Sequence, residues 1–275
     1  MLKFSHVATI SQAKHKTHED EMEQKAIEFQ IENGIARITL NRPKHGNAVN
    51  ADLADELLTA VQASITTSDV SVLLIEASGN NFCYGGDIVE FSRAGCNLDK
   101  CIERIITPFH AALALLSEAP FPVITAIQGH AAGGGLSLAL AGDFALAADT
   151  AFFRTAYIGL GFAGDGGITH ILARLVGTKK SIQLMLSNEK ISAESALTMG
   201  LIDEITSPDL LQKTALNLAR NLSTNNIQSM KIIKSLVNRF PRDDFKTQLN
   251  QEQKYMISQA REVHTQAAIQ KFLGK

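Results

Sequence analysis

The chain has 275 residues, enough for one large core or two modest domains. Hydrophobic residues make up 45% and charged ones 20%, the balance of a globular chain that buries much of its surface, in part against other subunits. A formal net charge of −2 provides no broad basic face and argues against nucleic acid as the main partner.

The first segment, residues 1–25, is polar and lacks the apolar block of a secretory signal. It carries His6, His15 and His18; His15 and His18 could share a metal, but a solvated, partly disordered tail is the default, and no metal site is expected. Ala26 to Asn33 and Ile35 to Leu40 alternate around Asn33-Gly34, a strong hairpin signal. The polar loop Asn41 to Asn50 follows, punctuated by Pro43 and Gly46. Leu53, Leu57, Leu58 and Val61 then recur at helical spacing and predict an amphipathic helix over Asp52 to Ser64. Val70 to Ala77 is an apolar run of strand length, so strand, helix and strand succeed one another as parallel strands with helical crossovers require.

A glycine-bearing loop, Asn80 to Ile88, opens at the end of that strand, and residues 98–117 read as a long helix. Phe121 to Ile127 is a short β-branched run between Pro122 and Gly129, the pattern of a buried strand. Three glycines follow, Gly133, Gly134 and Gly135, ahead of the helix formers Leu136 to Ala141. Without a Cβ their N–H groups can approach a ligand closely, and the first helical turn adds unpaired donors and a partial positive charge. Such a junction suits a developing negative charge, although a tight turn alone would also use these glycines. Asp143 to Ala148 and Ala151 to Ile158 read as further strands. Ile168 to Leu175 resumes helical spacing, and from about Ser181 the pattern is nearly all helical. Two glycine loops at the carboxyl ends of strands could face one cleft.

Other signatures fall short. Gly159 to Gly164 fits Gly-x-Gly-x-x-Gly, but no βαβ unit with a suitably placed acid follows, so a dinucleotide is not expected. Ser137 is not in a Gly-x-Ser-x-Gly elbow, and no zinc-ligand spacing occurs. Cys83, Cys96 and Cys101 form no Cys-x-x-Cys and are too few for a disulfide framework, which favours a reducing, cytoplasmic setting. No apolar run approaches the ~20 residues of a membrane span, so no membrane partner is expected.

Taken together, Phe82-Cys-Tyr-Gly-Gly-Asp-Ile88 and Ile127-Gln-Gly-His-Ala-Ala-Gly-Gly-Gly135 resemble the paired signatures of the crotonase, or enoyl-CoA hydratase/isomerase, superfamily. Leu40-Asn-Arg-Pro43 with Asn47-Ala48, Asp143 to Phe152, Arg174-Leu-Val-Gly177 and Ala196 to Asp203 fit the same pattern, in order, over residues 26–275. The resemblance implies an α/β fold: a crotonase-type spiral of ββα turns over residues 26–205. A C-terminal helical region, 206–275, would mediate trimers, often paired as hexamers. It implies an acyl-CoA thioester as ligand, with coenzyme A as part of the substrate and no tightly bound cofactor. By motif position, the N–H groups of Tyr84 and Gly134 would form an oxyanion hole, and Lys44, His45, Asp87 and Ile88 would meet the adenine-ribose end of CoA.

The acids depart from the family's hydratase pattern. Where hydratases carry two glutamates this chain has Ser137 and Tyr157, and neither activates water well at neutral pH. They are expected to line the acyl pocket, with Tyr157 open to a role as proton donor. His130 is expected to satisfy backbone. One carboxylate remains, Asp165, where superfamily isomerases place an aspartate; the competing reading is a cap for the helix near Ile168. The resemblance therefore favours a Δ3-Δ2-enoyl-CoA isomerase with Asp165 as its single acid/base. The alternatives are an enoyl-CoA hydratase, a decarboxylase of acyl thioesters and a non-catalytic acyl-CoA binder.

Overall fold

A computed structural model describes residues 25–238 and 242–274, so His6, His15 and His18 lie outside the described residues. Strands β1 (Ile27–Glu32) and β2 (Ile35–Leu40) pair antiparallel with Glu32 opposite Ile35. Asn33 and Gly34 between them both take positive φ (51° and 77°), as a two-residue hairpin turn requires. Helix α1 (Ala51–Thr66) is capped by Asn50, whose side chain accepts from the Leu53 N–H at 3.0 Å. Strand β3 (Val72–Ala77) runs parallel to β2, and all six of its residues are buried. That explains its largely apolar run, because a parallel strand is covered on both faces; its one charged residue, Glu76, is buried and paired with Arg37.

Helix α2 (Ile88–Ala94) and a 3-10 turn at Gly95–Asn97 lead into α3 (Leu98–Glu118). The buried face of α3 holds Ile102, Ile106, Phe109, Leu113 and Leu116, spaced for one side of a helix, and each contributes roughly 1.5–3 kcal/mol by leaving water. His110 lies among them. Strand β4 (Val123–Ile127) joins β3, β5 (His130–Ala132) starts a second, smaller sheet, and α4 (Gly134–Ala139) begins inside the glycine triplet. Strand β6 (Phe144–Ala148) extends the main sheet.

Strand β7 (Phe152–Arg154) is shorter than the expected Ala151 to Ile158. Ala156 takes a left-handed φ of 64°, and its N–H donates to Asn188 Oδ1 at 2.7 Å, which turns the chain out of the extended conformation. Helix α5 (Ile168–Ser187) is interrupted at Gly177 (φ 76°, ψ 158°), between the two helical stretches that the sequence suggests. Two strands interrupt the all-helical reading beyond 181: β8 (Ile191–Ser192), before α6 (Ala193–Met199), and β9 (Glu204–Thr206), before α7 (Pro208–Ser223). Both are too short to show alternation. The main sheet has the order β1-β2-β3-β4-β6-β9 and the small one β5-β7-β8. Leu211, Ala215 and Ala219 of α7 are buried, and this helix packs on β3, β4 and β6. The chain closes with α8 (Ile227–Asn238), α9 (Arg242–Ala260) and α10 (Val263–Phe272); α9 packs on α3 and α10 on α2. No described helix is long and apolar enough to cross a membrane.

Candidate active site

Four loops at the carboxyl ends of the strands are tied together by backbone hydrogen bonds. Phe82 N–H donates to Gln128 O (2.8 Å), Cys83 N–H to His130 O (3.0 Å), Ala132 N–H to Cys83 O (3.0 Å) and Gly133 N–H to Arg154 O (3.1 Å). On the other side Val49 N–H donates to Gly85 O (2.7 Å) and Asp87 N–H to Val49 O (3.0 Å). Asn47, fully buried, braces this arrangement by donating to Ser78 O and Asn81 O while accepting from the Arg42 N–H. Glycine permits the contact between loops: a Cβ on Gly85 would lie 2.7 Å from Ala132 O, and one on Gly135 only 2.1 Å from Cys83 O. Cys83 donates its thiol to Asn47 O at 3.0 Å, and burial pushes its pKa up to about 12, so it is an inert thiol.

Beneath these loops lies a cavity of about 680 Å³ lined by Val49, Gly86, Phe109, Gly134, Tyr157 and Asp165, among others. Arg154, Met256, Lys271 and Phe272 also line it, so α9 and α10 of the same chain form part of its wall.

The structure corrects the reading of Tyr84. Its N–H donates to Gly46 O at 3.0 Å and is not free for a ligand. Its ring is half exposed, packed against Gly46 and 5.5 Å from the His130 ring. The donor that faces the cavity is two residues on. Gly86 bridges Val49 in a parallel pair whose hydrogen bonds use Gly85 O and Asp87 N–H. In such a ladder the bridged residue's own N–H points away from its partner. No hydrogen bond among the described residues uses the Gly86 N–H. Gly134 is the first residue of α4, where an N–H has no acceptor within the helix, and it too lines the cavity. Two backbone donors on two touching loops, Gly86 and Gly134, therefore border one space.

Asp165 sits in the turn before α5 and is buried, yet it lines the cavity. It does not cap the helix with its side chain; the N-cap position belongs to Gly167 (φ 77°). Its Oδ1 lies 2.5 Å from Nε2 of His110, and its backbone carbonyl accepts from Ser137 Oγ (2.8 Å) and Tyr157 OH (3.1 Å). Ser137 and Tyr157, 3.5 Å apart, thus meet at the main chain of Asp165. Ser137 is fully buried, whereas Tyr157 also forms part of the cavity wall.

Lys44 and His45 are exposed on the turn Pro43–His45 and do not line the cavity, whereas Ile88 does. Asp87 has a structural task. It caps α2 by accepting from the Val89 and Glu90 N–H groups at 3.1 and 3.2 Å, and pairs with Arg42 Nη2 at 3.0 Å. His130 donates its N–H to Asn81 Oδ1, and burial followed by the Lys190 charge lowers its pKa. No cluster of three metal-ligating side chains occurs among the described residues. Sequence reading missed Gly86 and His110. The signal for His110 was a histidine in the apolar stripe of α3, four residues after Ile106 and three before Leu113.

Comparison with known proteins shows the family. A family model described as Enoyl-CoA hydratase/isomerase matches residues 30–275. A protein named trans-2-decenoyl-[acyl-carrier-protein] isomerase from Streptococcus mutans is 33% identical over 78% of this chain and 82% of that one. One named 1,2-epoxyphenylacetyl-CoA isomerase from Escherichia coli is 32% identical over 89% and 94%. The crystal structure of an enoyl-CoA hydratase from Bacillus halodurans superimposes with a TM-score of 0.84 at 22% identity, covering 90% of this chain and 99% of that one, a likeness of fold. With the family's motifs in order along the chain and its fold beneath them, this protein belongs to the enoyl-CoA hydratase/isomerase family and is an enzyme of the crotonase superfamily.

Proposed function

We propose that the protein isomerises a 3-enoyl thioester to the 2-enoyl isomer, with Asp165 as the one acid/base. The observation that carries this reading is that Asp165 is the only carboxylate among the described residues lining the cavity. Hydration calls for one group to activate water and another to exchange the proton at the α-carbon. An allylic shift runs on one. The carboxylate takes the proton from C2 as the C2–H electron pair moves toward the thioester oxygen, giving a dienolate. The same carboxyl returns the proton at C4, and the double bond lies between C2 and C3. The N–H groups of Gly86 and Gly134 stabilise the dienolate oxygen, each contributing roughly 3 kcal/mol beyond what it gives the ground state. Ser137 and Tyr157 hold the Asp165 backbone, a role that leaves proton transfer to the carboxylate.

The acyl carrier is coenzyme A or a carrier-protein phosphopantetheine, since the relatives' names include both. Arg154 and Lys271 on the cavity wall favour an anionic carrier, and Ile88 on the same wall is the residue proposed to meet the adenine-ribose end of CoA there, whereas Lys44 and His45 could reach it only from the exposed surface outside the cavity. The free cysteines accord with a reducing, cytoplasmic setting. Self-association into a trimer or hexamer is supported by apolar side chains left in water: Ile182 and Leu186 on α5, and Ile233 and Val237 on α8, are 53–65% exposed.

The test is to offer 3-enoyl-CoA and 3-enoyl carrier-protein thioesters and follow the absorbance of the conjugated product. Asp165→Asn is expected to lower kcat about 10³-fold while the protein stays folded. Full turnover by that variant overturns the reading. So does wild-type hydration of crotonyl-CoA at a rate matching isomerisation, which points to the hydratase. Release of carbon dioxide from a malonyl-type thioester points to the decarboxylase, and tight thioester binding with no turnover to a non-catalytic binder.

A further inference from the structure

Asp165 is held from two sides, and the second holder lies outside the site. Its backbone carbonyl takes the hydroxyls of Ser137 and Tyr157, which fixes the main chain but leaves the side chain free to turn about χ1 and χ2. The side chain is fixed by His110, on the buried face of α3, whose Nε2 lies 2.5 Å from Oδ1. A carboxylate oxygen and a ring nitrogen that both present lone pairs would repel at that separation, so with Asp165 ionised, as the isomerase reading requires, Nε2 carries the proton and donates it to Oδ1. Both partners are buried, His110 at 7% exposure and Asp165 at 6%, so water does not compete for the contact.

The consequence is an asymmetric carboxyl group. Oδ1 is bound, and no hydrogen bond among the described residues reaches Oδ2, although Asp165 lines the cavity. His110 itself is not part of the cavity lining. Resting on the isomerase reading above, we infer that His110 is a positioning residue. It locks the Asp165 carboxyl so that Oδ2 alone faces the acyl chain and carries the proton between C2 and C4. Proton transfer at two carbons by one oxygen demands a fixed plane for that group, because either transfer fails if the carboxyl turns away. An imidazole meets this need from behind the site, reaching through Asp165 without entering the space where the substrate lies.

Three substitutions test the assignment, each scored by kcat and KM on 3-enoyl-CoA beside Asp165→Asn, with folding checked by circular dichroism. His110→Leu removes the hydrogen bond. His110→Asn carries an amide too short to reach Oδ1, and His110→Gln carries one that places its nitrogen close to Nε2. The expected result is a kcat loss of about 100-fold for H110L and H110N with KM within about twofold of wild type, and recovery to within about tenfold of wild type for H110Q. If H110L does not fold, the comparison of Asn with Gln decides alone. Wild-type kcat in H110N and H110Q, with D165N inactive, overturns the role of His110 and leaves the isomerase reading standing. Equal losses in H110N and H110Q overturn it too, since positioning predicts rescue by the longer amide. A rise in KM without a fall in kcat assigns His110 to the shape of the cavity instead. Full turnover by D165N overturns the isomerase reading and this inference with it.

Discussion

A glycine at position 135 owes its place to one oxygen. The Cys83 carbonyl comes so near that a Cβ would sit 2.1 Å away, well inside van der Waals contact, and the obstacle is backbone and cannot rotate aside. The same carbonyl accepts the Ala132 N–H, so pushing it away would also part the two loops that present Gly86 and Gly134. Gly135→Ala is expected to destabilise the fold by about 1–3 kcal/mol through overpacking. Its residual activity should fall further than the folded fraction accounts for. Thermal unfolding and turnover measured on one preparation check this; unchanged values for both would show that the loops yield without cost.

At the level of the element, α1 shows how a cap anchors a site that it does not enter. Asn50 ends the strand-like segment through Val49 that bridges Gly86, and its side chain closes the first turn of α1 on the Leu53 N–H. Leu53, Leu57 and Val61 then bury the helix, which packs against α3. Asn50→Ala is expected to lose about 1 kcal/mol, and Asn50→Asp close to nothing, because aspartate caps as well. Unfolding midpoints at fixed protein concentration give the comparison, and equal losses in both variants would assign Asn50 some task other than capping. Helix α3 joins two functions in one stripe: its aliphatic residues fill the core while Phe109 lines the cavity and His110 meets Asp165.

For the whole molecule, the proposed self-association points to one surface on α8. Ile233 and Val237 lie one turn apart on α8 and are 61% and 65% exposed, more than isolated surface aliphatics need. The paired variant Ile233→Glu with Val237→Glu is expected to shift sedimentation toward smaller species. A wild-type protein sedimenting at the mass of a single chain would remove the case for assembly. The cavity wall contributed by Met256, Lys271 and Phe272 belongs to the same chain, so these side chains reach the pocket without a neighbouring subunit.

The sequence by itself determined the layers and the chemistry of the loops. Largely apolar runs such as Val72 to Ala77 mark parallel strands covered on both faces, Asn33-Gly34 specifies its own turn, and the glycine triplet marks a close approach of backbone. These are local properties, written in periods of a few residues. Ser137 and Tyr157, standing where glutamates would serve a hydratase, were equally legible. Tertiary structure alone decided which amide faces the cavity, because the direction of an N–H depends on the strand its neighbours pair with. Gly46 claims the Tyr84 donor and Val49 turns that of Gly86 inward, both from more than thirty positions away along the chain. It likewise decided that Asp165 binds an imidazole fifty-five residues earlier in place of capping its own helix. A carboxyl group takes whichever donor the fold brings within reach, and the spacing of residues along a chain does not record that.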